Sequence, residues 1–243
     1  MAAVTQNIYD DPEFLAGYRT LPRSVHGLDG APEWPAVRAV LPDVHGRVVV
    51  DLGCGFGWFC RWARDQGAAR VVGVDVSAAM LDEAKTDPRG IEYRHADLED
   101  LDLDEGVGLV YSSLALHYVE DLERLIQSIA ASLAPAGALV LTVEHPVFSA
   151  PSRPTFLDTD RGTVWPLDGY LTEGPRTTNW FVDGVVKMHR TIGSYVRLLV
   201  ESGLTITHLE EWGPSTLQVE ANPEWAAERD RPPFLIIRAD RTT

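Results

Sequence analysis

Gly53, Gly55 and Gly57 stand at alternate positions directly after Val48-Val49-Val50-Asp51-Leu52. Such an apolar, β-branched run reads as a strand buried on both faces, and it ends in an acid. Glycines spaced this way let a backbone turn tightly and approach a ligand closely. The helical pattern from Trp58 to Gln66, stopped by Gly67, begins at the same point and offers its free N–H groups there. Acids recur where later apolar runs end, at Asp75 and Asp97. A carboxylate at the next strand's end can take both hydroxyls of a ribose. Asp97 can accept from an exocyclic amine such as that of adenine. In series over one glycine turn, these groups describe an adenosine site. His117, His145 and His189 are the candidates for proton transfer, since imidazole titrates near neutral pH.

The elements that must position these groups follow an alternating rhythm. Residues 1–46 are polar and punctuated by proline, and they carry Tyr9, Phe14, Tyr18 and Trp34. Asp11-Pro12-Glu13 resembles a helix start, with Phe14, Leu15 and Tyr18 on one face. A second helix is expected from about Pro35 to Leu41, and the whole segment is read as a cap over the glycine turn. From Arg47 onward, strands and amphipathic helices alternate as βαβ units of a parallel sheet. Strands are expected at Arg70–Asp75, Ile91–His95, Val107–Ser112 and Ala138–Glu144. Ser77 caps a helix to about Ala84, and Asp121 opens the clearest helix, with Leu122, Leu125, Ile126, Ile129 and Leu133 on one face.

The rhythm breaks over residues 145–192, which are rich in Pro, Gly, Asp and aromatics. Trp180 to Val186 reads as a hairpin turning at Asp183-Gly184. An insertion of this length is expected to be a lid or binding element, and its Trp165, Tyr170 and Trp180 point to an apolar or aromatic ligand. A helix from Ser194 to Ser202 and strands at Leu204–Glu211 and Phe234–Ala239 complete the chain, which is read as one domain over 1–243.

Composition excludes several classes. The formal net charge of −15, with no Lys/Arg-rich run, argues against a nucleic-acid partner. Cys54 and Cys60 are the only cysteines, fit no metal-ligand spacing or disulfide framework, and are read as small buried fillers. The acidic, leucine-bearing run Glu99 to Glu105 is read as a solvated loop, so no metal is expected. No stretch is apolar enough to span a bilayer. Met1 to Asp10 lacks the basic and apolar regions of a signal peptide, so a cytoplasmic protein is expected.

The glycine spacing distinguishes among adenosine carriers. A dinucleotide fingerprint needs Gly-x-Gly-x-x-Gly, and Trp58 stands where its third glycine would fall. No Gly-x-x-x-x-Gly-Lys occurs. Asp-Leu-Gly-Cys-Gly-x-Gly instead resembles the first motif of the class I S-adenosylmethionine-dependent methyltransferases. Val71-Val72-Gly73-Val74-Asp75-Val76-Ser77 and the following Ala78 to Leu81 look like the second. Ala96-Asp97-Leu98 matches the adenine-binding position, and Ser112 to Tyr118 resembles the segment after the fourth strand. Leu133-Ala134-Pro135-Ala136-Gly137 looks like the turn before the fifth, with Ala136 replacing a glycine. The resemblance covers roughly residues 47–144 and is closest to the small-molecule, type 11 branch.

That resemblance implies a Rossmann-like sheet of seven mostly parallel strands, the last antiparallel, with helices on both faces. It implies backbone from Gly53 through Cys54 to Gly55 facing the methionyl part of S-adenosylmethionine, below Asp51. It implies Asp75 on the ribose, Val76 and Met80 on the adenine face, Asp97 and Leu98 on its edge, and Ser112 bordering the site. Tyr9 or Tyr18 would close the carboxylate end. The expected reaction is methyl transfer to an O, N or C atom of a small metabolite. His117 and His145 are candidate bases, with Glu144 orienting His145, and Tyr18, Trp180 and His189 are expected to touch the acceptor. No Asn-Pro-Pro-Tyr element, typical of methylation of exocyclic amino groups in DNA, follows the fourth strand. A non-catalytic S-adenosylmethionine-binding partner protein and a nicotinamide-dependent oxidoreductase stand as alternatives.

Overall fold

The computed structural model describes residues 6–160 and 162–242. Three short helices precede the sheet: α1 (Pro12–Tyr18), α2 (Pro22–Val25) and α3 (Trp34–Val40). Asp11 caps α1 by accepting from the amides of Glu13 and Phe14. Then β1 (Val48–Leu52), α4 (Trp58–Asp65), β2 (Arg70–Asp75), α5 (Ala78–Ala84), β3 (Glu92–His95), β4 (Val107–Ser113), α6 (Leu122–Ser132) and β5 (Leu133–Glu144) alternate as expected. The insertion folds into α7 (Pro146–Ser149) and two small hairpins, β6 (Leu157–Thr159) with β7 (Gly162–Val164) and β8 (Gly174–Trp180) with β9 (Val182–His189). The chain ends through α8 (Ile192–Glu201), β10 (Leu204–Trp212), α9 (Thr216–Ala221) and β11 (Phe234–Arg241).

Seven strands form one sheet in the order β10-β11-β5-β4-β1-β2-β3. β11 runs antiparallel to both of its neighbours, and β5-β4-β1-β2-β3 are parallel. Strand order reverses on either side of β1, so the glycine turn leaves the sheet at its topological switch point, where ligands of open α/β sheets bind.

Neighbouring residues of β1 feed opposite faces of the sheet. Val50 and Leu52 join Val72, Val110 and Leu139 under α6 and α8, while Val49 joins Val71, Leu109 and Val140 under α3 and α4. Burial on both faces is why these strands read as continuous apolar runs rather than alternating ones. Phe59 of α4 stacks on Tyr111 of β4 at 3.6 Å between ring centroids, and Trp34 of α3 packs edge-on against it. The N-terminal cap is thereby anchored to the same layer that carries the glycine turn.

Two local expectations are corrected. The β8–β9 hairpin reverses at Phe181, which has φ +59, with Trp180 paired to Val182. Asp183-Gly184 lies within β9, where the register shifts by one residue and Gly184 takes φ +84. A glycine in the left-handed region therefore marks a bulge here rather than the turn. Strand β5 also begins earlier than expected: Leu133 already pairs with Val107, and Ala136, at φ +58, sits inside the strand.

Candidate active site

The three glycines all adopt the left-handed region, at φ +75, +51 and +74 for Gly53, Gly55 and Gly57. At Gly53 a Cβ would fall 2.2 Å from that of Ala115, whereas at Gly55 it would extend into open space. Gly53 N–H and Cys54 N–H both donate to the Val74 carbonyl, fixing the turn against β2. The Asp75 carboxylate accepts from Gly55 N–H at 2.8 Å through one oxygen and from Ser77 N–H at 2.9 Å through the other. Burial raises its pKa, and these two amides oppose the rise. Gly57 begins α4 with no side-chain cap, so the helix start presents unfilled N–H groups beside the turn.

A cavity of about 530 Å³ opens from this turn. Asp51, Gly53, Cys54, Gly55, Asp75, Val76, Met80, Asp97 and Leu98 all line it. The carboxylate of Asp97 accepts from Glu99 N–H while remaining on the wall. Burial pushes Asp51 up to about 7, although the Cys60 thiol donates to it at 3.3 Å. Ser112 is the exception among the expected cofactor residues. Its hydroxyl is fully buried and donates to the Leu52 carbonyl, so it ties β4 to β1, and strand alternation brings Ser113 to the wall instead.

The chain leaves β4 through Leu114, held at φ +55, and this turn carries His117 and Tyr118 to the cavity. His117 Nδ1 accepts from the Glu144 amide, and burial pushes the imidazole down to about 4. It is neutral at pH 7 and a weak base. His145 is not on the wall: its Nδ1 caps α7 by accepting from Val147 N–H, and its Nε2 pairs with Glu211 rather than with Glu144. His189 is also fully buried off the wall, between the Ser149 hydroxyl and the Tyr170 carbonyl. Both ring nitrogens of each histidine are thus occupied by the scaffold.

Opposite the glycine turn, the N-terminal segment and hairpin β8–β9 close the cavity. Trp180 meets Phe14 and Tyr18 edge-on, and the Tyr9 hydroxyl lies 3.2 Å from that of Tyr118. Asp10 accepts from the Ser77 hydroxyl and Ala79 N–H at the start of α5, while Gln6 bonds the backbone of Gly184 and Val186 in β9. One short segment therefore touches both ends of the cavity. Of the insertion's aromatics, Trp180 lines the wall, whereas Trp165 packs with Phe148 and Phe156 around the Arg231 guanidinium at 4.1–5.0 Å.

Sequence reasoning missed the charged pairs on the wall. Lys187 of β9 bonds Glu144 at 2.5 Å, and Arg23 bonds Glu33 at 3.1 Å. Glu144 was legible as a strand end, but nothing local relates it to a lysine in a distant hairpin. Trp58 does not crowd the turn. It supports the cap, for a Cβ on Gly27 would lie 2.6 Å from its ring.

An adenosine-bearing cofactor fits this arrangement: a buried carboxylate faces a glycine loop with open space above it, and apolar walls follow. Residues 50–141 match the methyltransferase domain family. An S-adenosylmethionine-dependent methyltransferase from Mesorhizobium loti is 51% identical, with a TM-score of 0.85 over 88% of this chain and 100% of that one. A structure described in similar terms from Listeria monocytogenes is 35% identical, with a TM-score of 0.82 over 89% of this chain and 100% of that one. The malonyl-[acyl-carrier protein] O-methyltransferase of Enterobacter lignolyticus is 36% identical over 44% of this chain and 43% of its own length. That last match spans less than half of either protein. The nicotinamide and non-catalytic alternatives give way to these findings: the chain belongs to the S-adenosylmethionine-dependent methyltransferases, and S-adenosylmethionine is its cofactor.

Proposed function

We propose that the enzyme methylates an O, N or C atom of a small-molecule metabolite held between the glycine turn and hairpin β8–β9. The observation that carries this reading is the continuity of the cavity. The walls that suit the cofactor run without interruption into a compartment bounded by Tyr18, Trp180, Tyr118, His117 and Lys187. The whole cavity, cofactor end included, measures about 530 Å³, within the range of small-molecule sites.

The bound cofactor supplies a methyl group activated by a sulfonium. Backbone from Gly53 to Gly55 would hold its methionyl part, Asp75 the ribose hydroxyls, Val76 and Met80 the adenine face, and Asp97 with Leu98 the adenine edge. Asp75 would exchange its bond to Gly55 N–H for the ribose. In-line displacement is accelerated chiefly by holding the nucleophile behind the methyl carbon. Tyr18 and Trp180 provide flat, rigid surfaces for that purpose. His117 would orient an acceptor as a neutral hydrogen-bonding group. His145 and His189 would act through α7 and the lid rather than on the acceptor.

Labelled methyl donor incubated with the protein and a metabolite extract should yield a labelled small molecule. Label found only in protein or nucleic acid would refute the small-molecule reading.

A further inference from the structure

We infer that Glu144 and Lys187 form a recognition dyad for an acidic hydroxyl, a phenol or enol, on a small planar acceptor, which makes oxygen the methylated atom. This deepens the reading above and rests on it. Three cations line the cavity among the described residues. Arg23 is engaged by Glu33, and the Arg176 guanidinium is spent on the carbonyls of Ala150, Gly169, Thr172 and Pro175. Lys187 is different. Its ammonium gives one bond to Glu144 and lies 4.8 Å from the Trp180 ring centroid and 5.9 Å from that of Tyr118. An ammonium has three N–H groups, so donors remain for a ligand.

Burying such a pair is costly compared with apolar side chains of the same size. It sits on the cavity wall, with Lys187 only 7% exposed, and among the described residues its ion pairing is with Glu144 alone. Glu144 also stays charged. Burial alone would raise its carboxyl, but the charge and hydrogen bond of Lys187 outweigh that and hold it below the ordinary value. The pair therefore offers a cationic donor beside an anionic acceptor. A hydroxyl matches both, since it donates one hydrogen and accepts through its lone pairs. A protonated amine would meet Lys187 as a repelling neighbour, and a neutral aromatic amine offers it a poorer acceptor than a phenolic oxygen.

The remaining groups near the dyad are His117 and Tyr118 after β4, Arg190 after β9, Tyr195 of α8 and Arg231 before β11. In the step itself, the acceptor oxygen bonds to the methyl carbon as the methyl–sulfur bond breaks. The electron pair of that bond stays on sulfur, and the hydroxyl proton passes to the Glu144 carboxylate and on to solvent. Lys187 stabilises negative charge developing on the oxygen.

The test uses 4-nitrophenol, whose phenolate absorbs visible light, titrated with pH on protein saturated with S-adenosylhomocysteine. Its pKa should fall by at least about one unit on binding. Lys187→Met should raise it above the free value, because Glu144 remains as an unopposed like charge, with S-adenosylhomocysteine affinity by calorimetry held within about threefold. Glu144→Gln should lower it below the wild-type value, because a like charge has gone. Should Lys187→Met fail to fold, the double variant Lys187→Met/Glu144→Leu removes both charges and must restore the free value. An unchanged or raised pKa on the wild-type protein, no binding of 4-nitrophenol at millimolar concentration, or preferential binding of 4-nitroaniline would overturn the dyad. Wild-type protein that fails to bind S-adenosylhomocysteine would instead strike the reading on which the dyad rests.

Discussion

The two ends of the cavity are built by different means. At the glycine turn, the geometry is a property of backbone: three residues at positive φ, two amides on one carbonyl, and one buried carboxylate clasping the loop. At the lid, the geometry is a property of side chains brought together from distant segments. Lys187 meets Glu144, Arg231 threads among three rings, and Gln6 pairs with a hairpin. The first kind of site tolerates little change and serves one cofactor. The second can be rebuilt by exchanging side chains, so it is where we propose that acceptor choice resides.

The contrast breaks most visibly at Gly53. Its φ of +75 and the 2.2 Å approach to Ala115 leave no room for a methyl group. Gly53→Ala should cost about 2–5 kcal/mol of stability from strain and overpacking together, and should abolish S-adenosylhomocysteine binding. Thermal unfolding and calorimetry would measure both effects. A variant of wild-type stability and affinity would mean the turn is not built as described.

The complementary test lies at Arg231. Its buried guanidinium holds Phe148, Phe156 and Trp165 together and bonds both oxygens of Glu228. Arg231→Met should destabilise by about 2 kcal/mol, the scale of desolvated cation–π contacts. Methyl transfer should slow, with cofactor affinity unchanged. Equal loss of cofactor binding would show that the two ends are not separable.

Smaller effects separate the ends by the sign of their pH dependence. Asp51 is pushed up to about 7 and His117 down to about 4, both chiefly by burial. Between about pH 4.5 and 6.5, the folded state binds a proton at Asp51 that the unfolded state has released, so this group favours stability as pH falls. His117 does the reverse: the unfolded state is protonated and the folded state is not, so stability is lost on acidification. The two contributions oppose each other. Relative to wild type, Asp51→Asn should make stability fall more steeply with acid, by up to about 1 kcal/mol per pH unit, and His117→Gln should flatten the fall by a similar amount. Denaturant melts at pH 4.5, 5.5 and 6.5 would read the slopes, and parallel curves for all three proteins would contradict the burial of these groups.

What the sequence disclosed follows the same division. Asp51, Asp75 and Asp97 were legible because each lies near the end of a parallel strand or just beyond it, Asp97 two residues after β3, and so falls at the carboxyl edge of the sheet. Ser112 was misassigned by a single position, since side chains on a strand alternate and Ser113 takes the cavity side. The insertion was legible as a break in the alternating rhythm of the sheet but not as a surface. Its turn moved to Phe181 because Gly184 marks a bulge, and only register with β8 distinguishes the two uses of a glycine. His145 and His189 looked like His117 in sequence. Their partners Glu211, Ser149 and Tyr170 are set by packing of β10, α7 and the lid, for which no local signal exists.

The most direct test of the cradle itself is calorimetric titration of S-adenosylhomocysteine into wild-type protein and Asp75→Ala. Two charge-assisted bonds to a ribose predict a loss of about 100-fold in affinity. Affinity equal to wild type in a folded Asp75→Ala protein would contradict the placement of the ribose, and with it the assignment of this end of the cavity to the cofactor.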